Sequence, residues 1–207
     1  MSGETTKAAN LGRPRSEQLH QAILTAALDL VLEMGFRVVS IEAIAAKTGI
    51  AKTTIYRRWP NKAAVIMEGF LTELRPASFF PEAETALERI RLQMHVTAEA
   101  FRGRDGALVK ALLAETQFDP DLAEVYRNKW TLPRRKLVID MLEAAITQGA
   151  LRPDIDIEGT VDLLYAPIYY RLLLGTGPIS DAYIEILFAE SMKGLQANIA
   201  SSRHRKQ

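Results

Sequence analysis

The stretch SIEAIAAKTGIAKTTIYRRWP, residues 40–60, decides how the rest of the chain is read. Ser40 is a good N-cap for a short helix reaching about Lys47. Glu42 falls in its first turn, where a carboxylate suits the positive helix end. Thr48, Gly49 and Ile50 read as a tight turn, and a further helix is expected from Ala51 to Trp59, stopped by Pro60. Two short helices joined by a turn holding one glycine form the helix-turn-helix layout. Gly49 supplies the positive φ that lets the second helix leave steeply. Ile44, Ile50, Ile55 and Trp59 are expected to pack inward, and Ala45 and Ala46 are small enough for close helix crossing.

Burying that set leaves the second helix presenting Lys52, Thr53, Thr54, Tyr56 and Arg57. A recognition helix lies in the DNA major groove with its N-terminal residues at base edges, where Lys52, Thr53 and Thr54 stand. Lysine donates to guanine O6 or N7, and threonine offers a hydroxyl and a methyl that can touch thymine. Tyr56 and Arg57, one turn later, suit phosphates, which fix register. Ser40 and Lys62 join these candidates. Lys62 places an ammonium beside a helix N-terminus, a favourable place for an anion. The charge distribution agrees. Residues 40–62 hold Lys47, Lys52, Arg57, Arg58 and Lys62 against Glu42 alone, a local +4 in a chain of net +1. A confined basic patch is the electrostatic footprint of a polyanion binder.

Outward from this core, helical periodicity governs. Ser16 can cap a first helix whose stripe is Leu19, Ile23, Ala27, Leu30, Val31 and Met34, closed by Gly35. Asn61 caps a fourth helix carrying Val65, Ile66, Phe70 and Leu74 and ending before Pro76. Longer helices are expected near 82–103, 105–117, 120–148 with Pro133 as the place for a break, 156–174 and 180–199. No segment alternates like a strand. The expected fold is therefore all-α, an N-terminal three-helix helix-turn-helix domain plus a larger helical bundle for ligand binding and dimerisation. Its divisions are a flexible basic arm (1–15), a DNA-binding domain (16–60), a connecting helix (61–76), the larger domain (77–200) and a polar tail (201–207).

Composition narrows the function classes. The chain has 207 residues, 48% hydrophobic and 25% charged, ordinary for a globular protein. Absence of cysteine excludes disulfides, thiolate nucleophiles and cysteine-based metal sites. No apolar run reaches bilayer-spanning length and the N-terminus lacks a secretion-signal core, so a cytoplasmic location is expected. His20, His95 and His204 show no metal-ligand spacing. No phosphate loop, nucleophile elbow or dinucleotide fingerprint is present, so neither metal, cofactor nor enzymatic activity is expected.

The stretch from about Ser16 to Phe70 resembles the DNA-binding domain of the tetracycline-repressor (TetR) family. The resemblance is carried by Ala45–Ile50, by Thr54-Ile55-Tyr56-Arg57-Arg58-Trp59, and by Asn61-Lys62. It covers about a quarter of the chain, and the all-helical remainder fits the same layout. Trp59 stands where the family more often has Phe, a volume change not expected to matter. The resemblance implies a homodimeric transcriptional regulator, usually a repressor, released from its operator when a small molecule enters the larger domain. It further implies that Tyr56 and Lys62 contact phosphates, with Lys52, Thr53 and Thr54 in the groove. A ligand-independent architectural DNA binder and, further off, an all-helical enzyme with sequence-distant carboxylates stay open as alternatives.

Three expectations concern the flanks. Pro14 holds Leu11–Arg15 extended, so Arg13 and Arg15 are candidates for a narrow minor groove. The last two helices are apolar nearly all round, which calls for cover on two sides. They are expected to form a four-helix interface with a second copy through Tyr165, Ile168, Leu172, Ile184 and Phe188, with a kink at Pro167. Candidate ligand contacts are Met94, His95, Phe101, Glu115, Tyr126 and Trp130. The partners expected are double-stranded DNA, a second copy of the chain and a small-molecule effector of unknown identity; no membrane is expected.

Overall fold

The computed structural model describes residues 12–74 and 81–196, with side chains from Ser16 onward. Its helices are α1 (Gly12–Met34), α2 (Ile41–Thr48), α3 (Lys52–Tyr56), α4 (Lys62–Glu73), α5 (Ala86–Arg102), α6 (Arg104–Thr116), α7 (Pro120–Tyr126), α8 (Leu132–Thr147), α9 (Ile157–Leu174) and α10 (Asp181–Leu195). A five-residue π-helical turn, Arg127–Thr131, joins α7 to α8. No strand occurs among the described residues beyond an isolated antiparallel bridge between Leu151 and Gln196.

The helix ends follow their local chemistry. The Ser40 hydroxyl accepts from the Ala43 backbone N–H at 3.1 Å, and Asn61 Oδ1 accepts from that of Ala64 at 2.9 Å. Gly49 closes α2 at φ 70°, a conformation that a Cβ would strain. α1, α2 and α4 converge on one apolar cluster, in which Ile23, Leu28, Ile44, Ile55, Val65, Ile66 and Phe70 are fully buried. α1 and α4 approach closely because Gly69 faces α1. A Cβ there would sit 3.2 Å from the Leu24 carbonyl oxygen and 3.2 Å from Leu28 Cγ.

Three expectations need correcting. α1 begins at Gly12, so residues 12–15 are helical rather than an extended arm. Proline in the first turn forfeits only an N–H that has no intrahelical partner there, so Pro14 does not oppose a helix. The side chains of Arg13 and Arg15, the stop at Pro76 and the tail from Ser201 lie outside the described residues. α3 is shorter than expected, ending at Tyr56, after which turns carry the chain to Trp59. At Pro133 the helix widens rather than breaks. The Leu132 N–H reaches back to the Arg127 carbonyl, five residues away, easing the ring past the preceding turn.

Trp59 does more than fill volume. Its indole Nε1 donates to Glu68 Oε2 at 2.6 Å and its ring stacks on His20, centroids 5.2 Å apart. His20 Nε2 meets the other Glu68 oxygen at 2.9 Å, so α1, α4 and the end of the α3 segment share one polar joint. Phenylalanine would keep the ring and lose the donor. Trp59→Phe is therefore expected to cost about 1 kcal/mol, lowering Tm by about 2–4 °C for a chain of this size. Thermal unfolding at fixed protein concentration checks this, and an unchanged Tm would leave the bond without effect on stability.

Candidate nucleic-acid interface and ligand cavity

α3 is oriented by one buried residue within it and one just beyond its end. Ile55 and Trp59 are 0% and 3% exposed, so the opposite face looks outward. Lys52, Thr53, Tyr56 and Arg57 are exposed, with Tyr56 at 49%, and Thr54 is half-buried. The predicted DNA-facing set on α3 thus shares one outward surface, apart from the half-covered Thr54. Arg58, next along, is turned back. Its guanidinium donates to Ser16 Oγ at 2.7 Å and lies 3.1 Å from His20 Nδ1.

Two of the predicted contacts are already engaged. Lys52 Nζ lies 3.3 Å from Glu42 Oε1 across the turn. Glu42's carboxyl is held below its usual range, first by backbone hydrogen bonding at the start of α2 and then by Lys52. Both side chains are more than half exposed, so the pair is weak and leaves Lys52 able to move toward a base. Lys62 is more firmly held. Its ammonium donates to the carbonyls of Phe36 and Arg37, both at 2.8 Å, and lies over the Phe36 ring. Partial burial lowers its pKa, with Glu115 opposing. Lys62 therefore ties the start of α4 to the α1–α2 loop, and of its three hydrogens one is left for a phosphate. Ser40 accepts at the α2 cap, and its side chain also hydrogen-bonds the Glu42 carboxylate.

The larger bundle holds a cavity of about 500 Å³ that opens to the surface beside Tyr170 and Leu173. Of the candidate ligand contacts, Phe101, Tyr126 and Trp130 line it. Met94 does not; it is fully buried in the core beside the wall. His95 faces the other way, toward Glu185 and Asp181 of α10. Glu115 lies at the seam with the first helices, where its Oε2 receives Arg37 Nε at 2.9 Å. The sequence reading missed Gln93, Thr97, Arg134, Tyr165 and Tyr169. One signal was available. Gln93, Thr97 and Phe101 recur at i, i+4 and i+8, a stripe with polar groups facing inward.

The residues expected at the dimer interface lie mostly inward in the single chain. Ile168 and Ile184 are fully buried within the chain's own core and Leu172 nearly so, Tyr165 faces the cavity, and Phe188 is half-buried against the core. The apolar residues left outward on α9 are Leu163, Tyr170, Leu173 and Leu174, the last 63% exposed; on α10 Ile186 is 62% exposed. A helix apolar all round has two plausible inner faces, and periodicity alone does not choose between them.

An outward basic helix on a helix-turn-helix scaffold, attached to a helical bundle with a cavity, defines a DNA-binding regulator with a sensing domain. Comparison with known proteins places it further. Residues 23–68 match the model of bacterial regulatory proteins of the tetR family, and residues 80–190 match the tetracyclin repressor-like C-terminal domain. An uncharacterized HTH-type transcriptional regulator of Bacillus subtilis, YdeS, is 40% identical over 190 residues, covering 92% of this chain and 96% of that protein. The DNA-binding transcriptional repressor TetR of Mycobacteroides abscessus is 30% identical, covering 82% of this chain and 90% of that protein. A crystal structure of a TetR family transcription regulator overlays with a TM-score of 0.69 at 29% identity, covering 87% of this chain and all of the other. The chain belongs to the TetR family of ligand-responsive, DNA-binding transcriptional regulators. No described helix is long and apolar enough to cross a membrane.

The geometry separates two kinds of substitution. Thr53→Ala or Lys52→Ala is expected to change which duplex is preferred, by about 1–3 kcal/mol at one base pair. Tyr56→Phe or Lys62→Ala should weaken all duplexes alike. Glu42→Gln frees Lys52 and removes an acid from the DNA face, so binding to any duplex should tighten about two- to fivefold. Fluorescence anisotropy against a panel of duplexes at two salt concentrations checks each. A uniform loss from all four of the first substitutions would contradict the assigned roles.

Proposed function

We propose that the chain is a homodimeric repressor that holds a palindromic operator through paired α3 helices and leaves it when a small molecule fills the cavity. In this reading residues 16–60 read DNA, 61–76 connect, and 77–200 sense and dimerise. It works where the DNA is, in the cytoplasm. Lys52, Thr53 and Thr54 meet bases, while Ser40, Tyr56, Arg57 and Lys62 hold phosphates. Two such helices about 34–36 Å apart address successive major grooves on one side of the duplex.

The observation that carries the proposal is that α4 belongs to both parts. Its first turn is locked to the α1–α2 loop by Lys62. Farther along, Phe70 packs on Trp130 and Tyr126, with ring centroids 4.5 and 5.7 Å apart, and both partners line the cavity. Leu74, just past the helix end, is itself part of the cavity wall. α6 adds a clamp. At its start Arg104 reaches Asp29 of α1 at 2.7 Å and Glu73 of α4 at 2.6 Å; near its end Glu115 takes Arg37. Between the two, Leu113 of α6 touches the cavity. A ligand that displaces Trp130 or Leu113 must therefore move α4, α6 or both, and the attached α3 follows. Only a ligand that fits one arrangement better than the other will shift the balance.

The outward stripe of Leu163, Tyr170, Leu173 and Leu174 with Ile186 is proposed as the surface paired with the second copy. Tyr170 and Leu173 also line the cavity, so pairing would close it on that side.

Two tests follow. Leu173→Glu or Ile186→Glu is expected to yield monomers by sedimentation and to weaken operator binding at least a hundredfold, since one α3 reads one half-site. Arg104→Ala should leave operator affinity within about threefold while shrinking the effector-induced loss, which for such coupling is typically about 5- to 150-fold. Dimers with either glutamate, or undiminished release in Arg104→Ala, would contradict the respective role.

A further inference from the structure

The cavity's walls and its polar groups make different demands on a ligand. Phe101, Tyr126, Trp130 and Tyr169 supply aromatic faces, with Phe101 and Tyr169 set edge to face, centroids 5.1 Å apart and planes at 81°. A space of about 500 Å³ between such rings suits a flat, fused ring system, which stacks with little lost rotamer freedom.

The polar groups point to an acid. The hydroxyls of Tyr126 and Tyr165 are buried without a hydrogen-bond partner in the protein. Burial pushes both phenols well above their ordinary pKa, so each remains a neutral donor. An unmet buried hydroxyl costs about 1–3 kcal/mol, which a ligand oxygen would recover. Arg134 lines the same cavity, near enough to Tyr126 to act on its phenol, stacked on the face of Trp130 and bonded to the carbonyls of Trp130 and Leu74. Burial lowers its pKa to about 10, which still leaves it cationic at neutral pH. Ionised side chains of the lining are Arg134, Arg135 and Asp162. Arg135 is committed to Asp162 and Glu158 on α9. Arg134 therefore brings a largely buried guanidinium to the wall, alongside the donor hydroxyls of Tyr126 and Tyr165.

Resting on the reading of this cavity as the effector site, we infer that the effector is a flat aromatic acid whose ring system lies among Phe101, Trp130 and Tyr169 and whose acidic oxygens meet Arg134 with donation from the Tyr126 and Tyr165 hydroxyls. The Leu74 carbonyl that holds Arg134 is at the end of α4, so an acid drawing the guanidinium inward would loosen that bond. The same contact thus gives both recognition and signal.

The test uses the full-length protein and three probes of one shape: anthracene-2-carboxylate, its methyl ester, and anthracen-2-ylmethylammonium, each titrated by calorimetry without DNA. The carboxylate is expected to bind at least tenfold tighter than the ester, the size of a charge-assisted hydrogen bond of about 1.5–3 kcal/mol. The ammonium should bind weakest. Arg134→Met should abolish the preference for carboxylate over ester while ester affinity stays within about threefold. Tyr126→Phe should weaken the carboxylate about three- to tenfold and retain the order of the three probes. Should Arg134→Met fail to fold, the order of the probes on the wild-type protein decides alone. Ammonium binding as tight as carboxylate, or no binding by any probe, overturns the inference. Carboxylate binding that leaves operator affinity unchanged supports the ligand class and removes the proposed release. Release by some other compound, with no aromatic acid bound, does the reverse.

Discussion

The structure depends on one shared rod. α4 is twelve residues long, and its two ends belong to different tasks. The Asn61 cap and Lys62 fix its start against the loop that precedes α2, and Val65, Ile66 and Gly69 bury it against α1. Its last turn ends in Leu74, in the wall of the cavity. α1 and α4 pack closely at Gly69, where a Cβ would crowd the Leu24 carbonyl and the Leu28 side chain. In the proposed reading, an event in the cavity that shifts Phe70 is felt by the helix proposed to face DNA.

Electrostatics shape both ends of this device without dominating its stability. The pairs that join α6 to the first helices, Arg104 with Asp29 and Glu73 and Arg37 with Glu115, involve partly exposed side chains. Such pairs contribute little to folding each, about 0–1 kcal/mol, but they fix orientation. That suits a joint that must yield to a ligand. The apolar core does the holding, with fully buried Leu108, Leu112 and Leu142 continuing the cluster through the larger bundle.

What could be read from the chain was local. The Ser40 and Asn61 caps, the Gly49 turn and the inward set of Ile44, Ile55 and Trp59 are decided within a few residues, and the structure bears them out. What escaped was set by distant contacts. Whether Ile168 or Tyr170 faces inward depends on which side of α9 meets α5 and α8, and an all-apolar helix carries no mark of that. Met94 and Gln93 are neighbours on α5, yet the first is core and the second cavity wall, a distinction of about 100° of helical rotation. Glu115 and His95 looked like pocket groups because they are polar on helices rich in apolar residues. Their partners, Arg37 and Glu185, lie 78 and 90 residues away. Trp59 looked like a neutral enlargement until Glu68 was seen to accept from its indole.

The central claim is that the DNA face and the cavity are coupled through α4. Amide hydrogen exchange of the full-length protein, with and without the duplex from upstream of its own gene, measures this without knowledge of any effector. Coupling predicts slower exchange on DNA binding at residues 52–57 and also at the cavity end of α4 and around Leu113 of α6. Protection confined to residues 40–62, with the cavity walls unchanged, would contradict it.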